Sequence, residues 1–188
     1  MRLFFAIDID ETIRLRIDEF VFKNYHLLGN NKLSWVKKDN LHITLKFLGE
    51  TKENILPKIN DRVFDCIKKY KKFRIEIKDL GVFPKVSLTK VLWLGVKDNT
   101  GELTSLFSEI ENQMFELNFE KEKRPFKPHL TIARVRMINN LDKIKFFIEK
   151  FKEINFGFSE VKEIKLYQSI LKSDGSEYKV IERYPLVN

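Results

Sequence analysis

Apolar residues repeat with two different periods along the chain, and the two periods predict a mixture of helices and strands. A period of three to four residues, typical of amphipathic helices, covers residues 11–28, 51–70, 102–117 and 141–151. Alternating or continuous apolar runs rich in branched and aromatic residues predict strands at 1–9, 33–38, 41–48, 73–83, 91–96, 129–136, 158–171 and 177–186. We expect Asp10 to cap the first helix and a tight turn at residues 172–176 to join the last two strands.

The order of these elements indicates an α+β fold with mainly antiparallel strands. Helices and strands alternate too irregularly for a doubly wound parallel sheet. No linker rich in Pro, Gly or Ser divides the 188 residues, a length that suits one domain. In each half a helix leads to an apolar strand that contains His-x-Thr, and then to another helix. This approximate internal repeat favours a duplicated lobe whose two copies face each other.

The charge balance favours a polyanionic partner. The chain carries 35 Lys and Arg against 27 Asp and Glu, a net charge of +8. Fixed positive charge attracts phosphates and gains free energy from counterion release. The alternative is a solvated Lys/Glu-rich surface of the kind common in heat-adapted proteins.

The single cysteine and the absence of long apolar runs exclude several classes of protein. Cys66 alone can form neither an internal disulfide nor a multi-cysteine metal site, so we expect it to be a buried apolar residue. No apolar stretch reaches 18 residues, and the N-terminal run LFFAI is interrupted by Asp8. We therefore expect a soluble, cytoplasmic protein with no membrane partner.

Two of the three histidines lie in matching contexts on predicted strands. His42 and Thr44 belong to NLHITLKFLGE, and His129 and Thr131 belong to FKPHLTIARVR. Side chains two positions apart on a strand project from the same face, so each histidine shares a face with its threonine. His26 lacks the pattern, and we interpret it as a surface or capping residue.

Two such pairs facing across a cleft favour phosphodiester chemistry. One histidine can deprotonate water while the other protonates the departing oxygen, near neutral pH and without metal. The hydroxyls can hydrogen-bond anionic oxygens. The alternative is that the histidines are satisfied core residues and the threonines ordinary strand formers. The sequence contains no metal-ligand spacing, P-loop or G-x-G-x-x-G, so we expect neither a metal nor another cofactor.

The ordered set of motifs resembles a known family. HITLKFLGE, PHLTIARVR, the opening MRLFFAIDI and the late LYQSILKSDGSEY are similar to the RNA 2′,3′-cyclic phosphodiesterases (2′-5′ RNA ligases) of the 2H phosphoesterase superfamily. The resemblance covers essentially the whole chain. It implies one 2H phosphoesterase domain over residues 1–188, in which two pseudo-symmetric lobes with duplicated antiparallel sheets and outer helices enclose a central cleft.

The resemblance also implies a role for each motif residue. His42 would be the proton donor to the leaving oxygen, and His129 the proton acceptor that activates water. Thr44 and Thr131 would bind the phosphate.

Five positions after each histidine, the resemblance implies residues that embrace the terminal base. These residues are Phe47 and Arg134. An odd offset places a side chain on the opposite face from the histidine, unless a β-bulge or a strand end turns it into the cleft. For Phe47 the alternative is a place in the core.

A few other residues are weaker candidates for the cleft. Lys46 shares parity with His42, so it lines the cleft or is solvated. Arg124 and Lys127 would contact RNA phosphates or form a charged loop. Tyr167 and Trp35 would stack on a base, although core packing is commoner in such strands.

The sequence thus predicts a metal-independent phosphodiesterase that opens 2′,3′-cyclic phosphates at RNA 3′ ends and leaves a 2′-phosphate. Reversal with an RNA 5′-hydroxyl would give ATP-independent 2′-5′ ligation. We expect a monomer that acts in RNA processing on RNA 3′ ends, tRNA fragments among them. The alternatives are a 2′-5′ phosphodiesterase that acts on another nucleotide and a non-catalytic basic RNA-binding module.

Overall fold

The computed structural model describes residues 1–172 and 175–188. Its strands and helices, in chain order, are β1 (Arg2–Asp8), α1 (Glu11–Asn24), β2 (Lys32–Trp35), β3 (His42–Glu50), α2 (Leu56–Ile67), β4 (Phe73–Phe83), β5 (Val91–Lys97), α3 (Glu102–Phe115), β6 (His129–Met137), α4 (Leu141–Phe151), β7 (Asn155–Val161), β8 (Glu163–Lys172) and β9 (Gly175–Pro185). Short 3₁₀ helices lie at Tyr25–Leu28, Lys38–Asn40, Glu53–Ile55 and Val86–Leu88.

The strands form one nine-stranded sheet in the order β7-β4-β5-β6-β3-β1-β8-β9, with β2 paired to β6 as a branch. The pairings between these strands are antiparallel. β3 and β6, the strands that carry the two motifs, are neighbours at the centre and pair through Ile43 and Leu130. The predicted α+β class with antiparallel strands is confirmed.

The helices cover one face of this sheet. α1 packs against β7, and α4 packs against β4. α2 and α3 pack against each other, and α2 also packs against β9 while α3 packs against β3. The main core lies between helices and sheet, and α3 contributes its fully buried Leu103, Leu106, Ile110 and Met114 at helical spacing. The opposite face of the sheet carries a small buried cluster of Phe4, Ala6 and Tyr167 near the motif strands.

Cys66 lies in the main core, as expected. Its side chain is 9% exposed, and burial raises the pKa of its thiol to about 11. The thiol is therefore protonated and unreactive at neutral pH.

The predicted strand at 158–171 is wrong, because this run forms the end of one strand and most of the next. β7 pairs with β4 at one edge of the sheet, whereas β8 pairs with β1 and β9 on the other side of the motif strands. The change of partner occurs at Lys162 and leaves the apolar alternation almost unbroken. The β8–β9 hairpin is confirmed, although residues 173 and 174 of its predicted turn lie outside the described residues.

Two predicted helix starts differ from the structure. Asp10 stands at the N-cap position of α1, but its carboxylate does not cap the helix. It accepts hydrogen bonds from the backbone N–H of Glu160 (2.8 Å) and from Nζ of Lys162 (2.9 Å), so it ties the start of α1 to β7. The second helix begins at Leu56 after a 3₁₀ turn, and the Thr51 hydroxyl donates to the Gly49 carbonyl instead of capping it.

Over residues 1–172 and 175–188, none of the helices combines the length and the apolar character needed to cross a membrane.

Candidate active site

A β-bulge in β3 turns Phe47 to the same face as His42 and Thr44. In the pairing with β1, Ala6 lies opposite Thr44 but Phe5 lies opposite Lys46, so one residue of β3 is left over. Leu45 and Lys46 are consequently both buried, whereas Phe47 is 68% exposed. The alternation of side chains between the two faces of the sheet therefore shifts by one residue between Thr44 and Phe47.

β6 repeats this irregularity at the equivalent position. Trp93 of β5 lies opposite Thr131 and Leu92 lies opposite Ala133, so Ile132 is the extra residue. Ile132 and Ala133 are both buried, and Arg134 is exposed. The structure thus brings the two histidines, the two threonines, Phe47 and Arg134 to the helix-free face of two adjacent strands.

The two histidine rings are held by the same hydrogen bond. Nδ1 of His42 lies 2.7 Å from the carbonyl oxygen of Asn40, and Nδ1 of His129 lies 2.7 Å from the carbonyl oxygen of Lys127. A carbonyl oxygen can only accept, so each Nδ1 carries the hydrogen and donates it. Each Nε2 is therefore the ring nitrogen that remains available to a ligand.

Aromatic rings surround His42. Phe4 and Tyr178 lie 5.1 Å and 5.2 Å from its ring centroid, Tyr178 edge-on, and Tyr167 lies 6.4 Å away. Burial lowers the pKa of His42, against the opposing effects of the Asn40 carbonyl and Asp8. The positive charges of Arg14 and Arg134 lower it further.

The carboxylate of Asp8, opposite His42 in the sheet, is fully engaged by other partners. It accepts a hydrogen bond from the Tyr167 hydroxyl (2.7 Å), forms a short ion pair with Lys165, and lies 3.3 Å from a guanidinium nitrogen of Arg14. Burial alone would raise its pKa, but these partners outweigh burial and lower it. Asp8 is therefore a negatively charged residue that fixes Tyr167, one of the aromatic residues beside His42.

Tyr167 is packed among the aromatic residues beside His42 and does not offer an open ring on which a base could stack. Its ring is 9% exposed, stacks on Phe4 at 5.3 Å between centroids, and is fixed by its hydroxyl. Burial and the bond to Asp8 raise the pKa of its hydroxyl, so it stays a hydrogen-bond donor. Trp35 likewise packs against the main core.

A different set of rings borders His129. Phe83 packs edge-on at 5.0 Å, and Trp93 lies 6.4 Å away. Trp93 covers Gly81, where an added Cβ would lie 2.2 Å from the indole ring. A glycine is therefore required at position 81 for Trp93 to lie flat beside the site.

The interpretation of Lys46 as a cleft-lining or solvated residue is wrong. The bulge turns this side chain to the helix-covered face, where it is 3% exposed and pairs with Glu111 of α3 at 2.6 Å. Lys46 also donates to the carbonyl oxygen of Glu120 (2.8 Å), and Glu111 accepts from the backbone N–H of Glu122 (2.9 Å). The pair therefore fastens the loop that precedes His129.

The remaining predicted residues lie at the surface. The guanidinium of Arg124 is 3.3 Å from Glu122 and is largely exposed, and the Lys127 side chain is exposed too. His26 is an exposed residue of the 3₁₀ turn after α1, as expected.

Besides Phe4 of β1, three aromatic residues at the site were missed from the sequence: Tyr178, Phe83 and Trp93. They lie on β9, β4 and β5, far from the motifs in sequence, so only strand order brings them to the histidines. Alternating or continuous apolar runs placed each of them in a strand, but these runs could not show which face of the sheet each side chain occupies.

Over the described ranges, no cluster of three or more His, Cys, Asp or Glu side chains is arranged to hold a metal ion.

Comparison with known proteins agrees with this geometry. Residues 14–186 match the family model described as the AKAP7 2′5′ RNA ligase-like domain. The RNA 2′,3′-cyclic phosphodiesterase of Methanocaldococcus jannaschii is 41% identical over 184 residues, which cover 98% of this chain and 100% of that protein. The chain belongs to the 2′-5′ RNA ligase-like family of 2H phosphoesterases.

Solved structures of this family share the fold over nearly their whole length. The crystal structure of TT0787 of Thermus thermophilus superposes with a TM-score of 0.83 at 26% identity, covering 99% of this chain and 98% of that one. Escherichia coli LigT complexed with 3′-AMP gives a TM-score of 0.78 at 26% identity, covering 100% and 98%. The predicted family and its enzyme class are confirmed.

Proposed function

We propose that this 2H phosphoesterase hydrolyses the 2′,3′-cyclic phosphate at RNA 3′ ends to a 2′-phosphate, with two histidines as acid and base and without a metal ion. The observation that supports it best is the matched pair of Nδ1–carbonyl bonds. They leave two Nε2 atoms, on adjacent strands and one face, as the groups that exchange protons. The RNA 2′,3′-cyclic phosphodiesterases among the relatives give the substrate class.

In the proposed reaction, Nε2 of His129 accepts a proton from water as the water oxygen bonds to phosphorus. The bond between phosphorus and the ribose 3′ oxygen breaks, and Nε2–H of His42 donates its proton to that oxygen. His129 ends protonated and His42 neutral, and solvent restores both. The hydroxyls of Thr44 and Thr131 donate to the phosphate oxygens as negative charge grows.

Phe47 and Arg134 complete the proposed site. Both are exposed on the face of the histidines, so the aromatic ring and the planar guanidinium can hold the terminal base between them. The ring centroids of Phe47 and Phe4 are 5.8 Å apart, so Phe47 lies next to the aromatic residues that surround His42.

We extend the proposal to the wider biology of the protein. Residues 1–188 form a single domain of two pseudo-symmetric lobes, which acts as a cytoplasmic monomer on RNA ends such as those of tRNA fragments. Running the reaction backwards, with an RNA 5′-hydroxyl in place of water, joins two RNAs through a 2′-5′ bond without ATP.

The decisive experiment is turnover of an RNA oligonucleotide with a 2′,3′-cyclic phosphate end in the presence of EDTA. We expect full activity and a 2′-phosphate product, identified by chromatographic comparison with the 2′- and 3′-phosphate isomers. Loss of activity that added Mg²⁺ or Zn²⁺ restores would refute metal independence. Binding of the oligonucleotide without turnover would support an RNA-binding module, and turnover of 2′-5′-linked nucleotides alone would support the other phosphodiesterase.

The threonines supply a separate test of phosphate binding. Thr44→Val and Thr131→Val keep the branched shape that a strand prefers and remove only the donor. We expect each variant to fold normally and to lose up to about 10²–10³ in kcat, as a well-placed donor to a growing charge does. The pH optimum should stay in place, because a hydroxyl does not titrate near neutral pH.

Thr12→Val, at an exposed position of α1, is the matched control and should retain parental kcat. If a motif valine variant instead abolished one limb of the pH profile, the threonine would be supporting a histidine. Parental rates in both motif variants would make these threonines ordinary strand residues.

A further inference from the structure

The positive charge of the protein is concentrated in three segments without acidic residues. Residues 20–38, 80–97 and 123–141 contain 12 Lys and Arg and no Asp or Glu. The rest of the chain contains 23 Lys and Arg against 27 Asp and Glu, so it is slightly acidic. The excess of positive charge therefore comes entirely from these segments.

The sheet brings the three segments together. They contain β2, β5 and β6 respectively, and β6 pairs with β2 and with β5. Ser34 of β2 and Val91 of β5 both lie opposite Arg134. The surface formed by these strands, which themselves carry no acidic residues, thus begins at the proposed base-binding arginine and extends away from His129 along β6.

Three cations of β2 and β6 have no acidic partner within the part of the chain that the structure describes: Arg134, Arg136 and Lys32. All three are exposed. Arg136 donates from Nε to the hydroxyl of Ser34 at 2.9 Å, which orients its guanidinium on the face of Arg134. By contrast, Lys23 of α1 pairs with Glu19, and Lys145 of α4 pairs with Asp142.

The far end of this surface is fixed by Asn31. Its side-chain oxygen accepts from the backbone N–H groups of Asn139 (2.8 Å) and Asn140 (2.9 Å), and its amide donates to the Asn140 carbonyl (2.8 Å). The loops that follow β6 and precede β2 are therefore tied together, and the cations stand on a rigid support.

We propose that Arg136 and Lys32, which we call the basic strip, bind backbone phosphates of the RNA on the 5′ side of the reacting end. This proposal rests on the proposed function. With a rise of about 3.3 Å per residue, Arg136 lies about 23 Å along β6 from His129, beyond the reach of a single cyclic nucleotide. Unpaired cations on a rigid strand gain most from phosphate contacts, because no ion pair has to break first and counterions are released. The strip therefore selects RNA chains over cyclic mononucleotides.

The test compares a short RNA oligonucleotide ending in a 2′,3′-cyclic phosphate with 2′,3′-cyclic AMP. In the Arg136→Gln/Lys32→Gln variant, we expect the ratio of kcat/KM for the oligonucleotide to kcat/KM for cyclic AMP to fall by about tenfold or more, through KM. The slope of log kcat/KM against log salt for the oligonucleotide should decrease in size by about 2, one for each lost phosphate contact. The control is Lys145→Gln/Lys152→Gln, which removes the same charge from the region of α4 and should keep the parental ratio.

Two results would overturn the basic strip. One is a control variant whose ratio falls as far as that of the strip variant, which would assign the effect to net charge. The other is a parental ratio in the strip variant, whether neither substrate loses kcat/KM or both lose it equally. If the parent turned over neither substrate, the proposed function would fail instead. Binding of the oligonucleotide, followed by fluorescence anisotropy against salt in parent and variant, would then still decide whether the strip holds RNA.

Discussion

His42→Ala and His129→Ala should each lower kcat on a cyclic-phosphate RNA by about 10²–10⁴-fold while the fold survives. Both rings stand on the helix-free face and are only half-buried, so their removal opens no cavity in the main core. Each loss removes a proton carrier that backbone geometry has already oriented through Nδ1. Steady-state kinetics with circular dichroism as the folding check measures the effect.

His26→Ala is the matched control. It removes the remaining histidine, which is exposed and lies on the 3₁₀ turn after α1, and it should leave kcat unchanged. Near-parental activity in either folded motif variant would remove the two-histidine mechanism.

The pH profile of the parent should be bell-shaped, with limbs that belong to the coupled pair. The proposed donor must hold its proton while the proposed acceptor must be neutral, so the position of the bell depends on the proton affinities of both histidines. Because burial lowers the pKa of His42 in the free protein, the bell in kcat/KM should lie at lower pH than an unperturbed His42 would give. A bound phosphate anion favours the imidazolium, so the bell in kcat should lie at higher pH than the bell in kcat/KM. Identical limbs in both profiles would show that the phosphate does not act on His42.

The repeated His-x-Thr motif was sufficient to predict which residues form the centre of the proposed site, but the faces of later residues depend on strand pairing. A bulge is a mismatch between two strands, so it leaves no periodic signal within one of them. The sequence nevertheless held one clue. At the fourth position after the histidine the two motifs have Lys46 and Ala133, and an alanine there suits a buried position better than an open cleft. Comparison of the two motifs would have predicted that Lys46 is buried.

The secondary structure was predicted best where one residue period ran from end to end of an element. β4 and α4 have the predicted bounds of 73–83 and 141–151. The junction of β7 and β8 was missed because both strands have alternating residues and only their partners differ. Asp10 was assigned to the local helix for the same reason, since its true partner Glu160 on β7 is 150 residues away.

Lys46→Met should lower the free energy of unfolding by about 3–5 kcal/mol, because it leaves the buried Glu111 carboxylate without its cation. The two side chains are 3% and 8% exposed, so solvent cannot replace the lost partner. The variant also loses the hydrogen bond to Glu120, which helps fasten the loop before His129. Urea denaturation of parent and variant at neutral pH gives the difference.

A second variant separates the unpaired charge from the lost packing. Lys46→Met/Glu111→Leu removes both charges and should recover most of the stability, since apolar pairs replace buried ion pairs at little cost. Lys69→Met is the control, since its partner Glu109 is also on α3 and lies at the same distance of 2.6 Å. Lys69 is 64% exposed, so its removal should change stability far less. A double variant as unstable as the single one would show that the hydrogen bonds to the loop before His129 matter more than the charge of Glu111. The buried pair would then act mainly as the fastening of that loop to β3.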